Sequence, residues 1–290
     1  MSETCLVLRT CAAHMTSAFG FVWPESGPVE APDWEPTPEC GHGLHGLLWG
    51  EGDGAVLNWA ADARWLAVEV ATADIVDLDG KCKFPRGVVV HCGDRFSATD
   101  YIAQHGGAGR AIVGGTATAG RRGSATAGDY GTATAGRKGT ATAGYYGTAT
   151  AGREGSAMAG DYGSATAGFR GTATAGREGS ATAGYKGSAT AGDYGTATAG
   201  FCGSATAGDY GTATAGYHGT ATAGDGGTAT AGDYGSAVAG VGGTATAGYG
   251  STIVFARFDG AHVGYIGENG LKPNTPYRMD GNGKFEEVQR

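Results

Sequence analysis

The residues best suited to chemistry lie in two places. In the first third of the 290-residue chain, Cys40-Gly-His42-Gly-Leu-His45 and the pair His91-Cys92 bring thiols and imidazoles close in sequence. Zinc takes such donors, yet Cys-x-His-x-x-His beside a His-Cys pair is not a recognised ligand spacing. Strand alternation would also send His91 and Cys92 to opposite faces. A structural role for Cys40 and His45 is therefore expected, with no metal, no cofactor and no catalytic residue. Transfer chemistry at an oxocarbenium-like centre would need a carboxylate; Glu69 and Asp94 are the candidates, and neither stands in a diagnostic motif. The Gly-rich stretches are not phosphate cradles, because Gly-Lys-[Ser/Thr] and strand–GxGxxG–helix contexts are missing. The second place offers hydroxyls in pairs: Thr132/Thr134, Thr148/Thr150, Thr196/Thr198 and Thr212/Thr214. Rows of hydroxyls suit binding rather than turnover.

These pairs belong to a repeat. From Gly115 to Gly250 the chain runs through 17 uninterrupted octads of the form Gly-[Ser/Thr]-Ala-Thr-Ala-Gly-x-x. Gly at positions 1 and 6 and Ala at positions 3 and 5 never vary, and position 4 is Thr except at Met158 and Val238. Thr-Ala-Thr-Ala-Gly alternates with period 2, a strand pattern, while Gly and the variable pair supply turns with positive φ and close backbone approach. Eight residues cannot go out and back, so a solenoid coil needs 16 or 24. Tyr130, Tyr146 and Tyr162 step by 16, as do Tyr194 and Tyr210 and the series Asp193, Asp209 and Asp225. The 16-residue coil follows, giving about eight and a half coils and roughly 40 Å at about 4.8 Å per rung.

Alternation puts positions 1, 3 and 5 on one side and 2 and 4 on the other. Gly and Ala fit a thin interior with Thr outward. The reverse, with hydroxyls inside, stays open because Met158 and Val238 read as core substitutions. One edge collects Asp129-Tyr130, Tyr146, Asp161-Tyr162, Asp193-Tyr194 and Asp209-Tyr210; the other runs Arg121, Arg137, Arg153 and then Phe169, Tyr185, Phe201 and Tyr217. Such ladders stabilise turns through ring contacts, or the Tyr edge (Tyr130, Tyr146, Tyr162, Tyr194, Tyr210) pairs with a second copy to give a homo-oligomer.

Composition sets the outer bounds. Gly is 58 of 290 residues and the apolar fraction is mostly Ala, so no single large Leu/Ile/Phe core can form. Collagen is excluded by the Gly spacing and by only eight Pro. No apolar run is long enough for a membrane span. Residues 1–106 carry 15 Asp/Glu against 6 Lys/Arg, a balance of −9 in a chain of net charge −8, which argues against nucleic acid as a partner. Six scattered Cys and a start without an apolar leader point to reduced thiols and a cytoplasmic or virion-associated protein without a signal peptide.

Residues 1–106 have ordinary composition. Strands are expected over Cys5–Thr10, Phe19–Trp23, Leu44–Trp49, Trp65–Val70 and Gly87–Cys92. Helices are expected over Gly54–Ala60 and over Ser97–Gln104, the latter with Ser97 as N-cap and Gly106 as stop. After Ser251, bulky residues return in two hairpins, Thr252–Phe258 with His262–Ile266 across Asp259-Gly260, and Tyr277–Met279 with Lys284–Val288. They are expected to cap the last coil.

The octad resembles the repeats of bacterial ice-nucleation proteins, with their paired octads, Thr-x-Thr strands and Tyr ladders. That resemblance implies a β-solenoid and Thr rows that order water. It departs from the family in its short array and its partly kept 16-residue alternation. Cys40-Gly-His-Gly-Leu-His45, with Met15 and Phe21-Val-Trp23 upstream, resembles an uncharacterised domain found ahead of similar repeats in phage and bacterial proteins. The Gly-x-Gly-Leu-His strand is also similar to the mono-ADP-ribosyltransferase pattern. The expected fold is mainly β: a small α+β domain over 1–106, a β-solenoid of 16-residue coils over 107–250 and a β-rich cap over 251–290. The expected role is a non-enzymatic structural or binding protein, with ice- or water-ordering and an ADP-ribosyltransferase-like N-terminal domain as alternatives. Its ligand is open.

Overall fold

The computed structural model describes residues 3–17, 20–258 and 260–288. It contains two compact units, Met1–Ala117 with Thr126–Thr132, and Thr118–Ala125 with Ala133–Arg290.

The first unit is built on seven strands: β1 (Thr4–Cys11), β2 (Gly27–Glu30), β3 (Leu44–Leu48), β4 (Arg64–Ala71), β5 (Val76–Asp77), β6 (Cys82–Phe84) and β7 (Arg86–Gly93). They form an antiparallel sheet in the order β2-β7-β4-β1-β3-β6-β5. β1 reads Cys-Leu-Val-Leu without alternation because both its faces are covered. Cys5 and Val7 pack among Trp23, Val68 and Phe84, whereas Leu6 and Leu8 pack among Leu47, Ala98 and Ile102.

Four expected strands are present within a residue or two of their sequence bounds. Phe19–Trp23 is not a strand. Its first residue lies outside the described residues, and the rest makes a turn closed by Ser17 N–H donating to Phe21 O at 2.9 Å, with one bridge, Thr16 to Val22. The helix expected over Gly54–Ala60 is only a 3-10 turn, Gly54–Val56. There Asp53 accepts from Ala55 N–H, and the Thr10 hydroxyl takes the Asn58 N–H that a helix would have used. The second helix, α1, spans Arg95–Ile102 and is capped by Asp94, not Ser97. The Asp94 carboxylate accepts the Ser97 N–H at 2.8 Å, so Ser97 lies inside the first turn. A π-turn over Ala103–Gly107 ends the helix, and Gly106 has φ +117° where a side chain would strike the Trp49 ring. The unit also takes in the turn 126–132. Gly128 N–H donates to Ile112 O, Gly114 N–H donates to Asp129 O, and the Tyr130 ring lies 4.2 Å from that of Trp59.

In the second unit each octad contributes one short strand, and strands 16 residues apart pair in parallel, as Thr196 with Thr212 and Ala197 with Ala213. Odd octads build one sheet and even octads the other. The 16-residue coil is thus the unit of the solenoid, with one rung of each sheet per coil. Ala at positions 3 and 5 is buried from Ala133 onward, and Thr or Ser at positions 2 and 4 faces solvent. The alternative with hydroxyls inside is excluded, and Met158, 43% exposed, stands on the outer face.

Within the turns, positive φ falls to the variable pair and close backbone approach to the glycines. Positive φ falls at position 8 in all 17 octads, and 14 of those residues are not glycine, among them Lys186 at +55° and Tyr210 at +56°. A left-handed side-chain residue costs roughly 1–2 kcal/mol. It is held here because in 13 of these 14 residues the position 8 N–H donates to the position 7 carbonyl of the next coil, as Tyr210 to Asp225 at 2.8 Å. Glycine at positions 1 and 6 has another cause: a Cβ on Gly211 would sit 2.9 Å from Gly195 O, and one on Gly192 would sit 2.8 Å from Arg177 N.

The cap continues the same lattice with larger side chains. Thr252–Arg257 pairs in parallel with Ser236–Ala239, so Ile253 and Phe255 occupy the inward places of Ala237 and Ala239 and are wholly buried. Gly260–Tyr265 folds back on that strand, beginning just past Asp259, which lies outside the described residues. Pro276–Met279 pairs antiparallel with the last odd-octad strand and with Phe285–Glu287.

Candidate functional site

All eight Thr residues singled out from the sequence, Thr132, Thr134, Thr148, Thr150, Thr196, Thr198, Thr212 and Thr214, stand on the odd-octad sheet. Each is exposed or half-buried and flanked by buried Ala. They form two blocks. Rungs 132–135 and 148–151 are neighbours, as are 196–199 and 212–215, with the Ser-Ala-Thr-Ala rungs at 164 and 180 between the blocks.

The two sheets are chemically unequal. On the odd-octad sheet position 4 is Thr on every rung, from Thr118 through Thr166 and Thr182 to Thr246. On the even-octad sheet the same row is broken by Met158, Val238 and, in the cap strand, Val254. Parallel in-register pairing repeats a hydroxyl about every 4.8 Å along this row, with the position 2 row about 7 Å away across the strand. Because the Ala side is locked in the interior, the Thr side chains stand on a rigid base, and β-branching limits their rotation.

The edges carry ladders of a different kind. On the Asp-Tyr edge, Tyr146 and Tyr162 stack at 4.9 Å and Tyr194 and Tyr210 at 5.2 Å. Glu178 interrupts the column and accepts the Tyr162 hydroxyl at 3.0 Å, which pushes that phenol's pKa up. Tyr130 packs on Trp59 in the first unit. Tyr194 and Tyr210 are 56% and 63% exposed. The position 7 Asp residues accept the position 7 N–H one coil on: Asp193 from Asp209, Asp209 from Asp225, and Asp225 from Val241, at 2.8–3.0 Å. Sequence reasoning used this Asp series to find the period and missed its role, although the 16-residue step was the available signal. The opposite edge has a continuous column, Phe169, Tyr185, Phe201 and Tyr217, with centroids 4.9–5.3 Å apart. Arg153 lies over its first ring at 4.6 Å. Below it, Lys138 and Arg137 bond Glu154 and hold its carboxyl below the ordinary range.

The thiols and imidazoles of the first unit are not gathered. Cys40 Sγ accepts from Lys81 Nζ at 2.9 Å, and His42 lies 3.4 Å from Asp33. His91 contacts the Ser97 hydroxyl at 3.1 Å, while Arg64 donates to Cys92 Sγ. Among the described residues no group of three or more His, Cys, Asp or Glu could hold a metal ion. His45, on β3, lines a cavity of about 400 Å³ with Arg9, Trp23 and Lys81. Neither Glu69 nor Asp94 lines it: Glu69 faces another cavity and Asp94 caps α1. The two carboxylates expected for transferase chemistry are therefore not beside His45; the carboxylate of this cavity is Asp33. No helix of the described residues is long and apolar enough to cross a membrane.

A model for a domain of unknown function, DUF7666, matches residues 5–104. An ice nucleation protein of Pseudomonas syringae is 52% identical over 103 residues, 35% of this chain and 9% of that protein. One of Pseudomonas fluorescens is 49% identical over 106 residues, 36% and 9%, and one of Xanthomonas campestris pv. translucens is 48% identical over 103 residues, 35% and 7%. The matched stretch spans less than a tenth of the length of these relatives. No solved structure matches the chain. Residues 5–104 are thus similar to a domain of unknown function, about a third of the chain is similar to ice nucleation proteins, and the octads fold as a β-solenoid of 16-residue coils.

Proposed function

We propose that this chain is a non-enzymatic β-solenoid whose odd-octad sheet orders water, as the names of its relatives suggest. The observation that carries this is the unbroken Thr row at position 4, Thr118 to Thr246, on a sheet whose other side is packed Ala. A regular set of hydroxyls on a rigid base holds first-layer waters at fixed spacings, and the ordering extends only as far as the row does. On this reading Met158 and Val238 make the even-octad sheet the weaker template. The Asp-Tyr edge, with Tyr194 and Tyr210 exposed, is the surface a second copy would take, so activity should rise more steeply than in proportion to protein concentration.

The test is freezing of supercooled droplets. Wild type should raise the freezing temperature above that of buffer. Thr→Lys at Thr134, Thr150, Thr198 and Thr214 should remove most of that rise, because a charged, mobile side chain at four outward sites disrupts the row without entering the core. Thr→Lys at Thr142, Thr174, Thr190 and Thr206, on the other sheet, should remove much less. Wild type freezing with buffer, or equal loss from both sheets, refutes the assignment.

A further inference from the structure

Four side-chain nitrogens are buried without a hydrogen-bond partner among the described residues, and three of them, Arg9 Nε, Trp23 Nε1 and His45 Nε2, belong to residues lining one cavity beside β3. Buried polar groups are nearly always paired, so three such atoms on residues of one lining single that cavity out. Arginine Nε and indole Nε1 are obligate donors, and what they lack is an acceptor. The groups are held in place. Arg9 Nη1 donates to His45 O at 3.2 Å and its guanidinium lies 5.5 Å over the Trp23 ring. Trp23 is 2% exposed and meets Phe21 edge-on at 5.7 Å.

Charge and shape narrow the occupant. Arg9 and Lys81 are the cations of the cavity, since burial and these neighbouring cations push the His45 pKa down and keep its ring neutral. The cavity's one carboxylate, Asp33, is already engaged by the Gly43 N–H at 3.2 Å and by His42. Phe21, Leu44 and Leu57 supply an apolar wall, and about 400 Å³ is within the range of small-molecule sites. We propose that this cavity binds a small organic oxyanion, its carboxylate or phosphate head accepting from Arg9 and Trp23 and its flat apolar body lying along Phe21 and Leu57. Every lining residue belongs to the first unit.

The probe is the Trp23 indole N–H resonance of the full-length protein, identified by its loss in Trp23→Phe. Adenosine 5′-monophosphate and indole-3-acetate present the two kinds of head, with adenosine and indole-3-acetamide as their neutral counterparts. At least one anion should shift the resonance saturably, and its neutral counterpart should bind about tenfold or more weakly. The anion that binds tells phosphate from carboxylate. Arg9→Gln should abolish the shift. Because Arg9 is partly buried and that variant can misfold, Lys81→Gln, at a half-buried site paired only with Cys40 Sγ, should weaken binding severalfold with the rest of the spectrum unchanged. No saturable shift with either anion at millimolar concentration overturns the proposal. So does equal binding of the neutral counterparts, or wild-type binding by Lys81→Gln.

Discussion

Replacing Gly192 by Ala would set a methyl carbon 2.8 Å from Arg177 N, 2.9 Å from Gly176 C and 3.0 Å from Arg177 Cα, all backbone atoms of the coil before it. Ordinary contact begins near 3.4 Å, so the overlap is about half an ångström and no flexible side chain can yield. The coils must part locally, stretching the bonds from Gly192 N–H to Ala175 O and Gly176 O. Overpacking of this kind costs roughly 1–3 kcal/mol, and the upper half applies where backbone meets backbone. A stiffer unfolded chain returns about 0.4–1 kcal/mol, leaving a net loss of about 2 kcal/mol. Gly120 occupies the same octad position with nothing within 4 Å of its Cβ site and no positive φ, so Ala there should be neutral or slightly stabilising. Neighbouring rungs carry most of a solenoid's stability, so amide hydrogen exchange resolved by mass spectrometry is the suitable assay. Gly192→Ala should speed exchange of peptides around 176–199 by roughly 30-fold, and Gly120→Ala should leave its own rung unchanged. Equal losses at the two sites would show that turn conformation rather than the adjacent coil demands glycine, and a neutral Gly192→Ala would show that the adjacent coil does not demand it.

Other outcomes follow from the same packing. Phe255→Ala removes the largest side chain filling the last coil and should destabilise the cap strand by about 3–5 kcal/mol; exchange should accelerate over 236–257 and not over 140–170. Asp94→Ala should cost about 1 kcal/mol at the start of α1, read from the denaturation midpoint. The Ser97 N–H and hydroxyl hold the Asp94 carboxyl below its ordinary range, so its contribution is complete above the unfolded value near about 3.9 and disappears as pH falls through the lower folded value. Asp94→Asn should keep much of the cap and lose that acid-side dependence.

Periodicity alone determined the solenoid. A strict octad with Tyr and Asp returning every 16 residues leaves one way to stack, because strands of identical sequence pair best in parallel register. It also placed the eight Thr residues on one sheet, since all lie in odd octads. Which side of each strand faced inward was not settled by alternation, because Thr and Ala are both small enough for a thin interior. Burial of Ala at every rung after the first decided it. Local signals failed where a distant group supplied the bond: Thr10 took the N–H that a helix at 54–60 needed, and Asp94 outcompeted Ser97 for the cap. Arg9, Trp23 and His45 are far apart in sequence, and only the antiparallel sheet and the turn before Trp23 bring them around one space. Spacing along a chain fixes what repeats. What meets across a fold depends on which strands pair, and that is decided by the packing of the whole sheet.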